Sequence, residues 1–176
     1  MPDKPVKTNQ DAFIVNPNFS DNQNYHLFAV CDGHGLRGHD VSAFLKQNLP
    51  RKRFHYQYVS QSSVERIGNI EYHLKRCKFE ENKLRNAITQ GFLQTRRELM
   101  SSAIEVDHSG STAVSVLVLN NRIFSANVGD SRAIIAKLVD NNWIAVPLSK
   151  DHKPDDPAEM KRIISCGGRV EPYKGN

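Results

Sequence analysis

The chain has 176 residues, 39% of them apolar and 24% charged, and a net charge of +5. That length suffices for one globular domain with its own core, and no apolar run reaches the ~20 residues a membrane-spanning helix needs. The net charge is concentrated, because residues 51–78 carry seven basic and two acidic side chains while the rest of the chain is neutral. A general nucleic-acid-binding surface is therefore a poor description of the whole molecule. Cys31, Cys77 and Cys166 stand far apart with no CxxC pair, which argues against a disulfide framework and against zinc. The opening Met1-Pro2-Asp3-Lys4-Pro5 lacks the apolar core of a signal peptide, so the expected location is intracellular, cytoplasmic or nuclear.

In chain order, residues 1–8 are polar with two prolines and read as a flexible lead-in to a single domain over 9–176. Ala12 to Val15 predicts a short strand, and the Asn-, Pro- and Asp-rich stretch from Asn16 to Asn24 a loop. Tyr25 to Cys31 predicts a buried strand that stops in a tight turn at Asp32-Gly33-His34-Gly35. If the two strands pair as a hairpin, Asp11 and Asp32 meet at one end of a sheet, as a two-carboxylate metal site needs, provided the register holds. Oxygen ligands there suit a hard cation such as Mg²⁺ or Mn²⁺. Gly33 and Gly35 let the backbone come close to a metal or phosphate, and His34 suits proton transfer near neutral pH. The alternative is a polar turn that caps the next helix.

Val41, Phe44, Leu45 and Leu49 predict a helix over 39–49, ended by Pro50. The basic segment 51–78 includes Phe54, Tyr56, Tyr58 and Tyr72 and reads as a loop or partly helical insertion. Interleaved basic and aromatic residues can bind nucleic acid or an acidic partner, and a solvated connection is the simpler reading. Leu84, Ala87, Ile88, Gly91, Phe92, Thr95, Leu99 and Met100 form the stripe of a helix over 80–100. Glu80 and Glu81 sit where its dipole favours anions, and Gly91 is tolerable if the helix packs closely on a sheet.

Beyond Ser109-Gly110-Ser111-Thr112, the runs Ala113–Leu119 and Arg122–Val128 flank Asn120-Asn121 and predict a hairpin. Gly129-Asp130-Ser131-Arg132 interrupts the apolar pattern, either as a turn ion pair or as part of a site. Ala133–Leu138 and Trp143–Leu148 predict two more strands. A short helix over Ala158–Ile164 follows Pro157 and stops at Cys166-Gly167-Gly168.

Six stretches in this order resemble the protein phosphatase 2C family of metal-dependent Ser/Thr phosphatases. They are Asn9-Gln10-Asp11-Ala12-Phe13, Asp32-Gly33-His34-Gly35, Gly110-Ser111-Thr112-Ala113, Gly129-Asp130-Ser131-Arg132, Leu148 through Pro154, and Glu159 through Ile163 to Gly167-Gly168-Arg169-Val170. Collinear matches over residues 7–170 make the resemblance specific. It implies an α+β fold, an antiparallel β-sandwich flanked by helices (αββα). It also implies hydrolysis of phosphoserine and phosphothreonine in a phosphoprotein substrate by a metal-activated water, with two Mg²⁺ or Mn²⁺ ions in the complete family domain. Carried over, Asp32 resembles the bridging metal ligand, Gly33 a carbonyl ligand, Asp11 the acid supporting the metal's water shell, His34 the general acid, and Asp130 an acid of a third, looser metal. The family's phosphate-binding arginine falls near Val6, where Lys7, with Lys4 as the second choice, would serve as a weaker point charge.

The departures are also expectations. Gln10 stands where many members carry glutamate. The family's downstream Asp-Gly and Asp-Asn metal motifs are absent, since the last aspartate is Asp156. The domain is therefore incomplete, lacking the C-terminal part, and its anionic ligands are few for two dications. The alternative function is a catalytically inactive, phosphatase-like interaction or structural subunit, with a protein partner covering open sheet edges.

Overall fold

The computed structural model describes residues 7–50, 70–76 and 81–172. Most of the basic segment 51–78, with Phe54, Tyr56, Tyr58 and Cys77, lies outside the described residues, as do Glu80 and residues 1–6 of the lead-in. The elements run β1 (Asp11–Pro17), β2 (Tyr25–Gly35), α1 (Gly38–Asn48), α2 (Ile70–Arg76), α3 (Glu81–Met100), β3 (Ser109–Ser111), β4 (Ala113–Leu119), β5 (Arg122–Val128), β6 (Ile134–Val139), β7 (Asn142–Pro147) and α4 (Pro157–Ser165). The class is α+β with antiparallel sheets, as the resemblance implies. One sheet has the order β1-β2-β4-β5, with β3 paired to the far end of β2, and β6 and β7 form a second, two-stranded sheet.

Turn chemistry fits these connections. Asn120 has φ +55° at the β4–β5 turn, and Asp140 and Asn141 have φ +48° and +60° in the two-residue β6–β7 loop. Asn and Asp tolerate the left-handed region because their short side chains bond locally.

The core lies on one face of the larger sheet. Ile14, Leu27, Ala29, Leu117, Leu119 and Phe124 from the strands pack with Leu49 behind α1, Ile70 and Leu74 of α2, and Leu84, Ala87 and Ile88 of α3. Each fully buried leucine or isoleucine contributes about 1.5–3 kcal/mol from apolar burial. The opposite face is apolar and uncovered among the described residues: Phe13, Val15, Phe28 and Val30 are all exposed.

Three expectations need correction. The run Leu27–Cys31 is not buried on both faces. Leu27, Ala29 and Cys31 point into the core while Phe28 and Val30 alternate outward, because among the described residues helices cover one face only. β2 does not stop at Cys31 either; it continues through the Asp-Gly-His-Gly stretch to Gly35, since β3 supplies ladder partners for Gly33, His34 and Gly35. Gly91 packs not on the sheet but on α2, where an added Cβ would stand 2.6 Å from Ile70 Cγ1 and 2.9 Å from its backbone nitrogen.

Candidate functional site

β1 and β2 pair so that Asp11 stands directly opposite Asp32. Directly opposed residues of an antiparallel pair project to the same face, with Cβ atoms about 4.5–5.5 Å apart. Both aspartates are exposed. Like charges so placed repel, a cost that a bound cation reverses.

The backbone around them is tightly held. Gly33 N–H donates to Gln10 O over 3.2 Å, and the Ser42 hydroxyl of α1 donates to the same carbonyl over 2.6 Å. A Cβ on Gly33 would collide with the carbonyls of Gln10 and Gly38, so only glycine lets β1, β2 and the first turn of α1 converge there. Gln10 Nε2 donates to Gly35 O over 3.0 Å, while Gln10 Oε1 is buried without a partner. His34, exposed on β2, lies over Gly110 of β3, where an added methyl would stand 2.7 Å from Nε2.

Asp32 sits between two neighbours. On its other side its N–H donates to Thr112 Oγ1 over 3.0 Å, and its carbonyl accepts from Thr112 N–H over 2.9 Å. Thr112 Oγ1 lies 2.6 Å from Ser131 Oγ, which brings the Gly129–Arg132 corner to the end of β2. Arg132 makes a bidentate pair with Asp151, at 2.9 and 2.7 Å. The corner is thus an ion pair, formed not within one turn but across to the Leu148–Pro154 stretch. Its electrostatics follow: the Arg132 guanidinium holds the Asp151 carboxyl below its ordinary range.

The predicted site residues separate into two groups. Asp11, Asp32, Gly33 and His34 converge at the β1–β2–β3 end. Asp130 is exposed on the corner after β5, and no three His, Cys, Asp or Glu side chains among the described residues are grouped to share a metal ion. Lys7 is exposed just ahead of β1. Cys31 faces the core beside Asp32, and burial pushes its thiol up to about 11, which keeps it protonated and non-nucleophilic at neutral pH.

The donors fit one hard dication. Mg²⁺ is commonly held by one or two carboxylates while keeping several waters, and the facing Asp11 and Asp32 provide that pair. The partnerless Gln10 Oε1 is buried against Gly38 at the start of α1 and is not part of that pair. A cavity of about 640 Å³, lined by Arg132, Ser149, Lys150, Asp151, Lys153 and Asp156 among others, contains none of these site residues. Two of its carboxylates are already paired, Asp151 with Arg132 and Asp156 with Lys150.

Thr112 and Ser131 lay inside matched motifs, yet nothing in their spacing marked Thr112 as a contact of Asp32 or Ser131 as a contact of Thr112. The Ser-Thr pair before a strand was the only available signal.

A family model described as Protein phosphatase 2C matches residues 3–176. The chain is 36% identical over 169 residues to Probable protein phosphatase 2C 35 of Arabidopsis thaliana, covering 96% of this chain and 42% of that protein. It is 32% identical over 173 residues to Protein phosphatase 2C 37 of the same plant, covering 94% and 41%. The chain therefore spans about two fifths of the length of these curated relatives. The serine-threonine phosphatase 2C from Toxoplasma gondii shares the fold, with a TM-score of 0.70 over 96% of this chain and 53% of that one at 22% identity. Serine/threonine phosphatase Stp1 from Staphylococcus aureus superposes with a TM-score of 0.52 at 25% identity, covering 96% and 55%. Matched by the family model along nearly its whole length, this chain belongs to the protein phosphatase 2C family.

Proposed function

We propose that the chain carries the Asp11–Asp32 part of the active site of a protein serine/threonine phosphatase that hydrolyses phosphoserine and phosphothreonine with Mg²⁺ or Mn²⁺. The observation that carries this reading is the direct opposition of two exposed aspartates across β1 and β2. A dication held there supplies Lewis-acid neutralisation of phosphate oxygens and lowers the pKa of a water.

The chain's own residues have distinct tasks. Asp11 and Asp32 hold the cation, with the Gly33 carbonyl as a neutral donor. His34 holds a proton at an imidazole nitrogen for the departing serine or threonine alkoxide, a poor leaving group unless protonated. Asp130 attracts a further, looser cation, and Lys7 offers the phosphate a point charge. No side-chain nucleophile is needed, which agrees with the protonated Cys31. The inactive-subunit reading finds no support among the relatives, which are phosphatases by name. The apolar face and the strand edges that are uncovered among the described residues remain a surface for a protein partner.

The test measures Mn²⁺ binding and Mn²⁺-dependent release of phosphate from a phosphothreonine peptide, for this chain and for Asp32→Ala. Mn²⁺ uptake that vanishes in Asp32→Ala, together with loss of any phosphate release, is the expected result. Undiminished turnover by the variant would overturn the mechanism.

A further inference from the structure

Continuing the register of either ladder on β2 places Thr112 across from Asp32, since Val30 pairs with Val114 and Gly33 with Ser111. At that rung the ladder departs from backbone-to-backbone bonding. The Thr112 carbonyl, the ordinary acceptor for its opposite residue's N–H, instead takes the Ser111 hydroxyl at 2.8 Å. Asp32 N–H turns to the Thr112 hydroxyl at 3.0 Å, while Thr112 N–H still reaches the Asp32 carbonyl at 2.9 Å. Thr112 therefore grips both backbone groups of Asp32, one through its main chain and one through its side chain.

The same hydroxyl faces Ser131 at 2.6 Å, with either oxygen donating. A hydroxyl has one proton and two lone pairs, so Thr112 Oγ1 accepts from Asp32 and still bonds Ser131. The third side is steric. Gly129, at φ +101°, presses on Thr112 so closely that an added Cβ would stand 2.7 Å from Thr112 Cγ2 and 2.9 Å from its Cβ. Thr112 itself is buried. The methyl is thus fixed by Gly129 and the hydroxyl by Asp32 and Ser131, which leaves the side chain one usable rotamer.

We propose that Thr112 is a positioning residue: its hydroxyl sets the Asp32 backbone and ties it to the corner that carries Asp130. The proposal rests on the metal-site reading above and adds a residue that holds no metal. Partners that orient metal ligands cost about 10–100-fold in metal affinity when removed. A threonine is required over valine for the hydroxyl, and over serine only for the methyl packed by Gly129.

The experiment uses the full chain with Thr112→Val, Thr112→Ser and Ser131→Ala, read by Mn²⁺ titration and by amide hydrogen exchange at Asp32. Thr112→Val keeps the side-chain shape and should lose protection at the Asp32 amide together with at least tenfold in Mn²⁺ affinity. Thr112→Ser should restore both, and Ser131→Ala should keep Asp32 protection with a smaller loss of affinity. Wild-type Mn²⁺ affinity and Asp32 protection in Thr112→Val would overturn the proposal. So would a loss that serine does not rescue, since that would mean packing alone. If the wild-type chain takes up no Mn²⁺, the metal-site reading fails. The Asp32 amide then decides the clamp, which stands if protection falls in Thr112→Val and returns in Thr112→Ser, and falls otherwise.

Discussion

At the scale of single residues, the cross-strand pair Asp11 and Asp32 concentrates the conflict between stability and function. Two carboxylates on one rung repel in the absence of a cation. Asp11→Asn should therefore stabilise the metal-free chain by about 0.5 kcal/mol while weakening Mn²⁺ binding. Urea unfolding without metal, set beside a Mn²⁺ titration, checks both signs, and a variant that is less stable without metal would contradict the argument. The acids, glycines and histidine of this end were readable because their two motifs, Asn9 to Phe13 and Asp32 to Gly35, stand in one order with four further matched stretches; Asp-Gly-His-Gly alone reads equally as a polar turn. Thr112 was not legible, because its role comes from standing across from Asp32, eighty residues away in the chain.

At the scale of elements, α3 shows how periodicity finds a helix without finding its neighbour. The stripe Leu84, Ala87, Ile88, Gly91 and Thr95 is buried as predicted, whereas Met100 at its end is exposed. Gly91→Ala should gain up to about 1 kcal/mol in helix propensity. The added methyl strikes Ile70 at the start of α2, and such overpacking costs about 1–3 kcal/mol. Net destabilisation in thermal or urea unfolding is the expected outcome; a gain would mean that α2 yields freely.

Helix α4 offers a pH test. Asp156 caps it, accepting from Ala158 N–H at 2.9 Å and Glu159 N–H at 3.1 Å. The Glu159 amide first, then Lys150 and the Ala158 amide, hold its carboxyl below the ordinary range. A lowered pKa means that the cap contributes fully above the ordinary carboxylate range and is lost as the pH falls through the lowered value. Amide protection at Ala158 and Glu159 should fall on that descent, and Asp156→Asn should flatten the dependence.

At the scale of the whole molecule, the main feature among the described residues is the one-sided sheet. Helices bury one face, and the other presents Phe13, Val15, Phe28 and Val30, with Val15 directly opposite Phe28. Such a contiguous apolar patch promotes association. The chain should bind a hydrophobic dye and self-associate as its concentration rises. Val15→Thr with Phe28→Thr should reduce both, as read by dye fluorescence and light scattering, with little change in the unfolding midpoint because both side chains are already exposed. The family of this chain, its α+β class and most of its elements were determined by sequence alone, because local periodicity and turn chemistry act over a few residues and motif order survives without contacts. Which face of β2 is covered, how far that strand runs, what Gly91 touches and which hydroxyl holds Asp32 were decided only by the tertiary structure. Each of those depends on a neighbour brought close by folding from a distant part of the chain.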